Sequence, residues 1–150
     1  MRVEILDMTP EHIDDVLIVE RLSFRIPWSK ASFLDELTKN DLSVYLIARV
    51  NGKIAGYIGM WKVLDEGHIT NIAVHPEYRR NGIGSTLLEK LIELAVSQSI
   101  KRMTLEVRKS NMYARKLYEK YGFFDGGFRK AYYADNNEDA VIMWKEGIDR

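Results

Sequence analysis

The residues best suited to chemistry form a short run, RRNGIG at positions 79–84, between an apolar segment and a helical pattern. Gly82 and Gly84 carry no side chain, so the backbone N–H groups there can come close to a ligand. The helix that follows adds unpaired amides and about half a positive charge at its N-terminus. The run therefore predicts an anion site that a pyrophosphate would fit, with a plain tight turn as the alternative.

The spacing of the glycines separates this run from the common nucleotide-binding loops. A Walker loop needs G-x-x-x-x-G-K-[ST], and a dinucleotide-binding fold needs G-x-G-x-x-G after a strand. Neither pattern is present, and the pattern that stands here is R-x-x-G-x-G, from Arg79 to Gly84. The sequence thus indicates neither of those two sites.

Glu106 is the first candidate for acid–base chemistry. It belongs to the predicted strand MTLEVR at 103–108, which a helical crossover connects to the strand that ends in Ile72, Ala73 and Val74. Ligands of α/β sheets bind beyond the carboxyl ends of such parallel strands, beside helix N-termini. Because an unpaired carboxylate in a sheet is costly, Glu106 is either solvated, paired with Arg108, or a general base near the ligand.

Tyr118 is the second candidate, on a predicted helix that also presents Ala114 and Leu117. Its default interpretation is a core aromatic residue, although a buried hydroxyl needs a partner. A phenol with a pKa near ~10 is also a reasonable acid for a departing thiolate. Asn111 stands where it would cap this helix, and a cap is compatible with a ligand contact as well.

Composition excludes several kinds of function. Lys plus Arg and Asp plus Glu number 22 each, so a net charge of zero argues against a general nucleic-acid binder, although 102–120 is locally basic. The chain has no cysteine, which excludes thiolate nucleophiles and disulfides, and its three histidines lack metal-ligand spacing. The charged N-terminus argues against a signal peptide, and no apolar run reaches the ~18 residues of a membrane span. We expect a cytoplasmic protein without a metal.

The elements that position these residues follow from turn and periodicity signals. Thr9-Pro10-Glu11 predicts a helix start, Ser29 a second one, and Asn51-Gly52 a hairpin turn. Asp65–Gly67 predicts the next turn, and Gly122 ends the last helix. With 150 residues we expect one domain, 1–150, of the α/β class. Its predicted order is β-α-α-β-β-β-α-β-α-β-β, a mixed sheet with helices packed on it.

The element order and motifs resemble the GCN5-related N-acetyltransferase (GNAT) family over nearly the whole chain. The matching segments are NIAVHPEYRRNGIGSTLLE at 71–89, LEVRKSNMYARKLYEKYGF at 105–123, and GGFRKAYY with NNEDAVIM near the end. Together with Pro27-Trp28-Ser29, these segments look closest to the RimI type, the ribosomal-protein-alanine N-acetyltransferases.

The resemblance implies a role for each matching residue. Backbone groups of Ile72, Ala73 and Val74 would pair with the pantetheine arm of acetyl-CoA, and Asn111 would contact the same cofactor. Glu106 would be the general base and Tyr118 the general acid at the leaving sulfur. The pyrophosphate would be held by the loop residues Arg79, Arg80, Asn81, Gly82, Ile83, Gly84 and Ser85.

The implied substrate is a protein N-terminus, namely the N-terminal alanine of a small-subunit ribosomal protein. The peptide entrance would be framed by Pro27, Trp28, Arg129, Tyr132 and Tyr133. Two alternatives remain: the same fold with a small amine as acceptor, such as a polyamine or aminoglycoside, or an acyl-CoA-binding module without catalysis. The chain would work as a monomer or homodimer.

Overall fold

The computed structural model describes residues 2–148, and its elements follow the predicted order. The predicted mixed α/β class is confirmed. The helices are α1 (Ile13–Ser23), α2 (Lys30–Thr38), α3 (Ile83–Ser97) and α4 (Met112–Lys120). The strands are β1 (Val3–Asp7), β2 (Ser43–Val50), β3 (Lys53–Val63), β4 (Glu66–Val74), β5 (Arg102–Arg108), β6 (Phe124–Tyr133) and β7 (Glu138–Lys145).

The strands form one sheet in the order β1-β2-β3-β4-β5-β7-β6. The predicted antiparallel meander of β2, β3 and β4 is confirmed, as is the closing β6–β7 hairpin. Among the strands within 2–148, only β4 and β5 run parallel, which the crossover through α3 predicts. Asn51 and Gly52 take positive φ angles of 51° and 81° and turn β2 into β3.

Helices cover both faces of the sheet because side chains alternate along its strands. On one face, α3 and α4 bury residues such as Leu87 and Leu117 against Leu46 and Ala48. On the other face, α1 and α2 bury side chains that include Phe33 against Tyr45, Ile47 and Tyr57. Each layer of helix therefore holds its own hydrophobic cluster.

The predicted helix start after Thr9 is confirmed, although its first turn is a 3-10 helix over Pro10–His12 and α1 proper begins at Ile13. The Thr9 N–H donates to His12 Nδ1 at 2.9 Å and closes that turn. One predicted boundary is wrong. The turn predicted at Asp65–Gly67 lies one residue earlier, with Leu64 at a φ of 57°. Gly67 is instead buried in β4, where a Cβ atom would lie 2.7 Å from Met60 Sδ.

The sheet opens between β4 and β5. Their parallel pairing runs from Glu66 and Arg102 only to Ile69 and Leu105. At Thr70 a bulge interrupts the pairing of β4 with β3, and from there β4 and β5 diverge. The ends of the two strands therefore form the sides of a cleft, with the β4 edge at 70–74 free on the β5 side.

Candidate active site

Two adjoining cavities fill the opening between β4 and β5. The wide cavity, of about 820 Å³, is lined by the ends of β4 and β5 and by the β6–β7 turn. The narrow cavity, of about 320 Å³, runs from the end of β4 to the start of α3. Ser23, Phe24, Ile72, Asn111 and Ala114 line both. The two cavities therefore form one continuous site with two ends.

The narrow end carries the features of an anion site. Arg79, Arg80 and Gly84 line it, and Gly82 caps α3 with a φ of 73°. The Thr86 N–H donates to Gly82 O at 3.0 Å, so the amides at 83–85 precede the first hydrogen bond of the helix. These free N–H groups and the two arginines fit a pyrophosphate.

Short-range contacts hold this loop in place. Arg79 Nε donates to Val74 O at 3.2 Å and joins the loop to the end of β4. Asn81 Nδ2 donates to Tyr78 O and Arg79 O, so its side chain stabilises the turn itself. Ile83 is buried in the core beneath the loop. The predicted loop residues thus divide between lining the cavity and supporting the loop.

Glu106 lies in the wall of the wide cavity with its side chain 32% exposed. Its carboxylate accepts from Arg129 Nε at 3.1 Å. The alternative that Glu106 pairs with Arg108 is wrong, because Arg108 donates to both carboxylate oxygens of Asp135 at 3.0 and 2.9 Å. Arg108 also stacks 4.0 Å from the ring of Tyr133. Glu106 therefore remains accessible from the cavity.

Tyr118 lines the same cavity from α4. Its ring packs against Phe123, with the ring centres 5.5 Å apart, as expected of a core aromatic residue. Burial is the main cause that raises the pKa of Tyr118, and the neighbouring Tyr133 adds to it. The phenol therefore stays protonated over the whole physiological pH range and can donate a hydrogen bond into the cavity.

Strand β6 supplies the side of the cavity that faces Glu106. Tyr132 and Tyr133 line the cavity and contact each other edge to face, with ring centres 5.1 Å apart. Burial raises the pKa of Tyr132, and the charge of Glu106 raises it further. Arg129 lies 5.6 Å from the Tyr132 ring. Three of the five predicted entrance residues are thus clustered around Glu106.

The other two predicted entrance residues lie elsewhere. Among residues 2–148, the α1–α2 segment lines the cavities with Ser23, Phe24, Arg25 and Ile26 rather than with Pro27 or Trp28. The Trp28 ring packs on Phe33, with ring centres 5.3 Å apart, and so anchors the loop from behind.

Asn111 performs the predicted cap, since its Oδ1 accepts from the Ala114 N–H at 3.1 Å. It also lines both cavities at their junction.

Sequence reasoning missed the bulge residues Thr70 and Asn71, which line the wide cavity. The sequence feature that could have indicated the bulge is Gly59, which pairs with Asn71 across the sheet. Because glycine has no side chain, the Tyr45 ring fits there beside Thr70. Within 2–148, no cluster of three His, Asp or Glu side chains has the geometry of a metal site. No helix in that range is long and apolar enough to cross a membrane.

Comparison with known proteins agrees with this geometry. The sequence profile of the acetyltransferase (GNAT) family matches residues 13–123. The chain is 39% identical over 127 residues to the ribosomal protein bS18-alanine N-acetyltransferase of Escherichia coli K12, covering 83% of this chain and 84% of the relative. It is 46% identical over 143 residues, 95% of each chain, to a Bacillus subtilis protein to which that activity is provisionally attributed.

Solved structures give the same result. The crystal structure of the Escherichia coli ribosomal-protein-S18-alanine N-acetyltransferase superimposes with a TM-score of 0.89 at 33% identity, covering 97% of this chain and 94% of that one. Ard1 from Thermoplasma volcanium superimposes with a TM-score of 0.90 at 28% identity, covering 98% and 99%. The chain described here belongs to the GNAT acetyltransferase family.

Proposed function

We propose that this chain, as one catalytic domain spanning 1–150, transfers the acetyl group of acetyl-CoA to the α-amine of a protein N-terminus. The observation that carries the proposal is the continuous cleft, which joins an anion-binding end to a cavity lined by both Glu106 and Tyr118. The relatives' names indicate the N-terminal alanine of ribosomal protein bS18 as the acceptor. A ribosomal substrate corresponds to a cytoplasmic enzyme.

Acetyl-CoA fits the cleft as a cosubstrate in an extended conformation. Its pyrophosphate would bind the amides at 83–85 with Arg79 and Arg80, while the free β4 edge at 72–74 would pair with the pantetheine arm. Asn111 lies at the junction where the thioester would enter the wide cavity. Bound in this way, the cosubstrate supplies an activated acetyl group.

The acceptor chemistry suits an α-amine. Its pKa of about 7.7–8.0 leaves a useful fraction neutral at physiological pH, whereas a lysine amine at about 10.4 is almost fully protonated. The neutral nitrogen attacks the thioester carbonyl, a C–N bond forms, and the amine proton passes to Glu106 directly or through a water. The C–S bond then breaks, and Tyr118 donates its hydroxyl proton to the leaving thiolate. No covalent enzyme intermediate is needed.

Burial of Tyr118 is compatible with this role. Burial raises the pKa of the phenol, so Tyr118 gives up its proton only as negative charge develops on the sulfur, and it stabilises that developing charge through a hydrogen bond. Most of the rate enhancement then comes from alignment of amine and thioester in one cleft.

The small-amine alternative receives less support. Cationic acceptors ask for unpaired acids, and the carboxylates that line the wide cavity besides Glu106 are Asp135 and Glu138. Arg108 binds both of them, with donor–acceptor distances of 2.9 Å to Asp135 and 3.4 Å to Glu138. Arg108 therefore neutralises one of these two negative charges and occupies both carboxylates with hydrogen bonds, which leaves neither of them free to bind a cationic acceptor alone.

Mass spectrometry of acetylated peptides tests the proposal. One peptide copies the alanine-starting N-terminus of bS18, and its control has a blocked N-terminus and an internal lysine. We expect one acetyl group on the free α-amine and none on the control. Acetylation of the lysine control or of polyamines in preference to the α-amine would contradict the proposal.

A further inference from the structure

A buried carboxylate on α1 has no part in the chemistry described so far. Glu20 is 1% exposed, and both of its oxygens accept hydrogen bonds. Oε2 accepts from the backbone N–H of Trp28 at 2.9 Å, and Oε1 accepts from the Tyr57 hydroxyl. A buried acid of this kind is costly unless its partners are well placed, and both oxygens of Glu20 have such a partner.

The hydrogen bonds continue from Glu20 to the wide cavity. Tyr57 is fully buried in β3, and its hydroxyl oxygen accepts from Asn71 Nδ2 at 2.7 Å. Asn71 Oδ1 accepts from the Thr70 hydroxyl at 3.0 Å. Thr70 and Asn71 form the bulge of β4, and both line the cavity where the acceptor would bind. Glu20 thus reaches the cavity-lining Asn71 through one intervening side chain, that of Tyr57.

The two hydrogen bonds that Glu20 accepts fix the direction of every bond in this chain. The Tyr57 hydroxyl donates its single proton to Glu20 Oε1. The Tyr57 oxygen can then only accept from its next neighbour, and Asn71 must present its NH₂ group to it. The orientation of the Asn71 amide is therefore set from inside the protein.

The Asn71 amide keeps hydrogen-bonding capacity after these contacts. Its NH₂ group carries a second proton, and its oxygen has a second lone pair. A peptide group offers one acceptor and one donor, which matches this pair. A polypeptide backbone would use both in one peptide group, whereas a protonated amine offers donors only and would leave the free Asn71 N–H without a partner.

A second contact of Glu20 controls another wall of the same cavity. The Trp28 N–H that binds Glu20 belongs to the α1–α2 segment, whose residues Phe24, Arg25 and Ile26 line the cavity opposite the strands. Glu20 therefore connects the loop and the β4 bulge.

We propose that Asn71 binds the backbone of the acceptor peptide, and that Glu20, acting through Tyr57, is a positioning residue that sets the orientation of the Asn71 amide. This inference rests on the proposed function, since it concerns how the same site recognises a peptide. It assigns to the β4 bulge the discrimination between a protein N-terminus and a small amine.

Steady-state kinetics with the alanine-starting peptide test the inference in Asn71→Ala, Tyr57→Phe and Glu20→Gln. Tyr57→Phe keeps the ring that packs edge to face on Phe33 and removes only the hydroxyl. Glu20→Gln keeps the volume but places an NH₂ group against one of two donors. We expect the KM for peptide to rise about fivefold to tenfold in each variant, with the KM for acetyl-CoA unchanged.

Two further measurements separate positioning from a general loss of structure. The double variant Glu20→Gln/Tyr57→Phe should raise the peptide KM no more than either single variant, because both break the same chain. Thr104→Val is the matched control, since it removes a buried hydroxyl that donates to Met143 O on the other side of the cleft. It should leave both KM values unchanged.

The outcomes distinguish the inference from the function on which it rests. A wild-type protein that leaves the peptide unmodified overturns the proposed function and this inference with it. A wild-type protein that acetylates the peptide, with variants whose peptide KM is unchanged or whose two KM values rise together, overturns the inference alone.

Discussion

Replacement of Tyr118 by phenylalanine isolates one hydroxyl in the proposed mechanism. The ring would keep its contact with Phe123, and burial rather than a hydrogen bond governs the pKa of the hydroxyl. Its removal therefore disturbs little of the folded structure, and we expect Tm to stay within about 2 °C of the wild type. The hydroxyl matters only when charge develops on the leaving sulfur.

The size of the effect follows from the strength of that hydrogen bond. A hydrogen bond to a charged group contributes about 1.5–3 kcal/mol, which corresponds to roughly a 10-fold to 150-fold loss of kcat. A bond made only in the transition state lowers kcat and leaves cofactor binding almost unchanged. Initial-rate assays measure kcat, and calorimetric titration measures the affinity for CoA.

Either of two results would refute this reasoning about Tyr118. An unchanged kcat would show that the leaving thiolate takes its proton elsewhere. A kcat that falls together with CoA affinity and Tm would show that the hydroxyl supports the structure instead. Thr104→Val, with a buried hydroxyl outside both cavities, serves as the control for a simple loss of a buried polar group.

Three further predictions concern charged groups of the cleft. Glu106→Gln should lower kcat/KM about 100-fold at pH 7. The loss should be smaller at pH 9, because the α-amine is already neutral there. The control variant Arg129→Gln should keep most of the activity, because the base Glu106 remains. Arg80→Ala should raise the KM for acetyl-CoA several-fold. The increase should be smaller at high salt, because salt screens the attraction between Arg80 and the pyrophosphate. A change in the peptide KM alone would contradict the assignment of Arg80 to the pyrophosphate. Hydrogen bonds from Ser110 lower the pKa of Glu138 to about 2, so its stabilisation is complete above the ordinary pKa of 4.5 and disappears as pH falls towards 2. Urea unfolding of wild type and Glu138→Gln should therefore differ at pH 6 and converge near pH 2.

The fold was largely predictable because its signals are local. The caps at Ser29 and Asn111 and the Asn51-Gly52 turn all form as their residue types indicate. The start of α1 was less predictable, because the backbone N–H of Thr9 donates to the side-chain Nδ1 of His12 and closes a short 3-10 turn that the Thr-Pro signal does not reveal. Such contacts depend on rotamers, which periodicity cannot show.

The candidate site was predictable only where a motif carries it. The loop at 79–84 can be recognised from its glycines, whereas the partner of Glu106 depends on how β6 lies beside β5. Sequence spacing favoured the nearby Arg108, but the β6–β7 turn places Asp135 against Arg108 and brings Arg129 to Glu106 instead. The Glu20–Tyr57–Asn71 chain spans three elements and has no local signature at all.

The central claim is that amine and thioester meet in one continuous cleft. A conjugate that joins CoA through an acetyl bridge to the α-nitrogen of the alanine-starting peptide tests it most directly, by calorimetric titration. We predict that this conjugate binds about 100-fold more tightly than CoA alone, and more tightly than the same conjugate built on a lysine side chain. A conjugate that binds no better than CoA, or equally well with either linkage, would contradict the account.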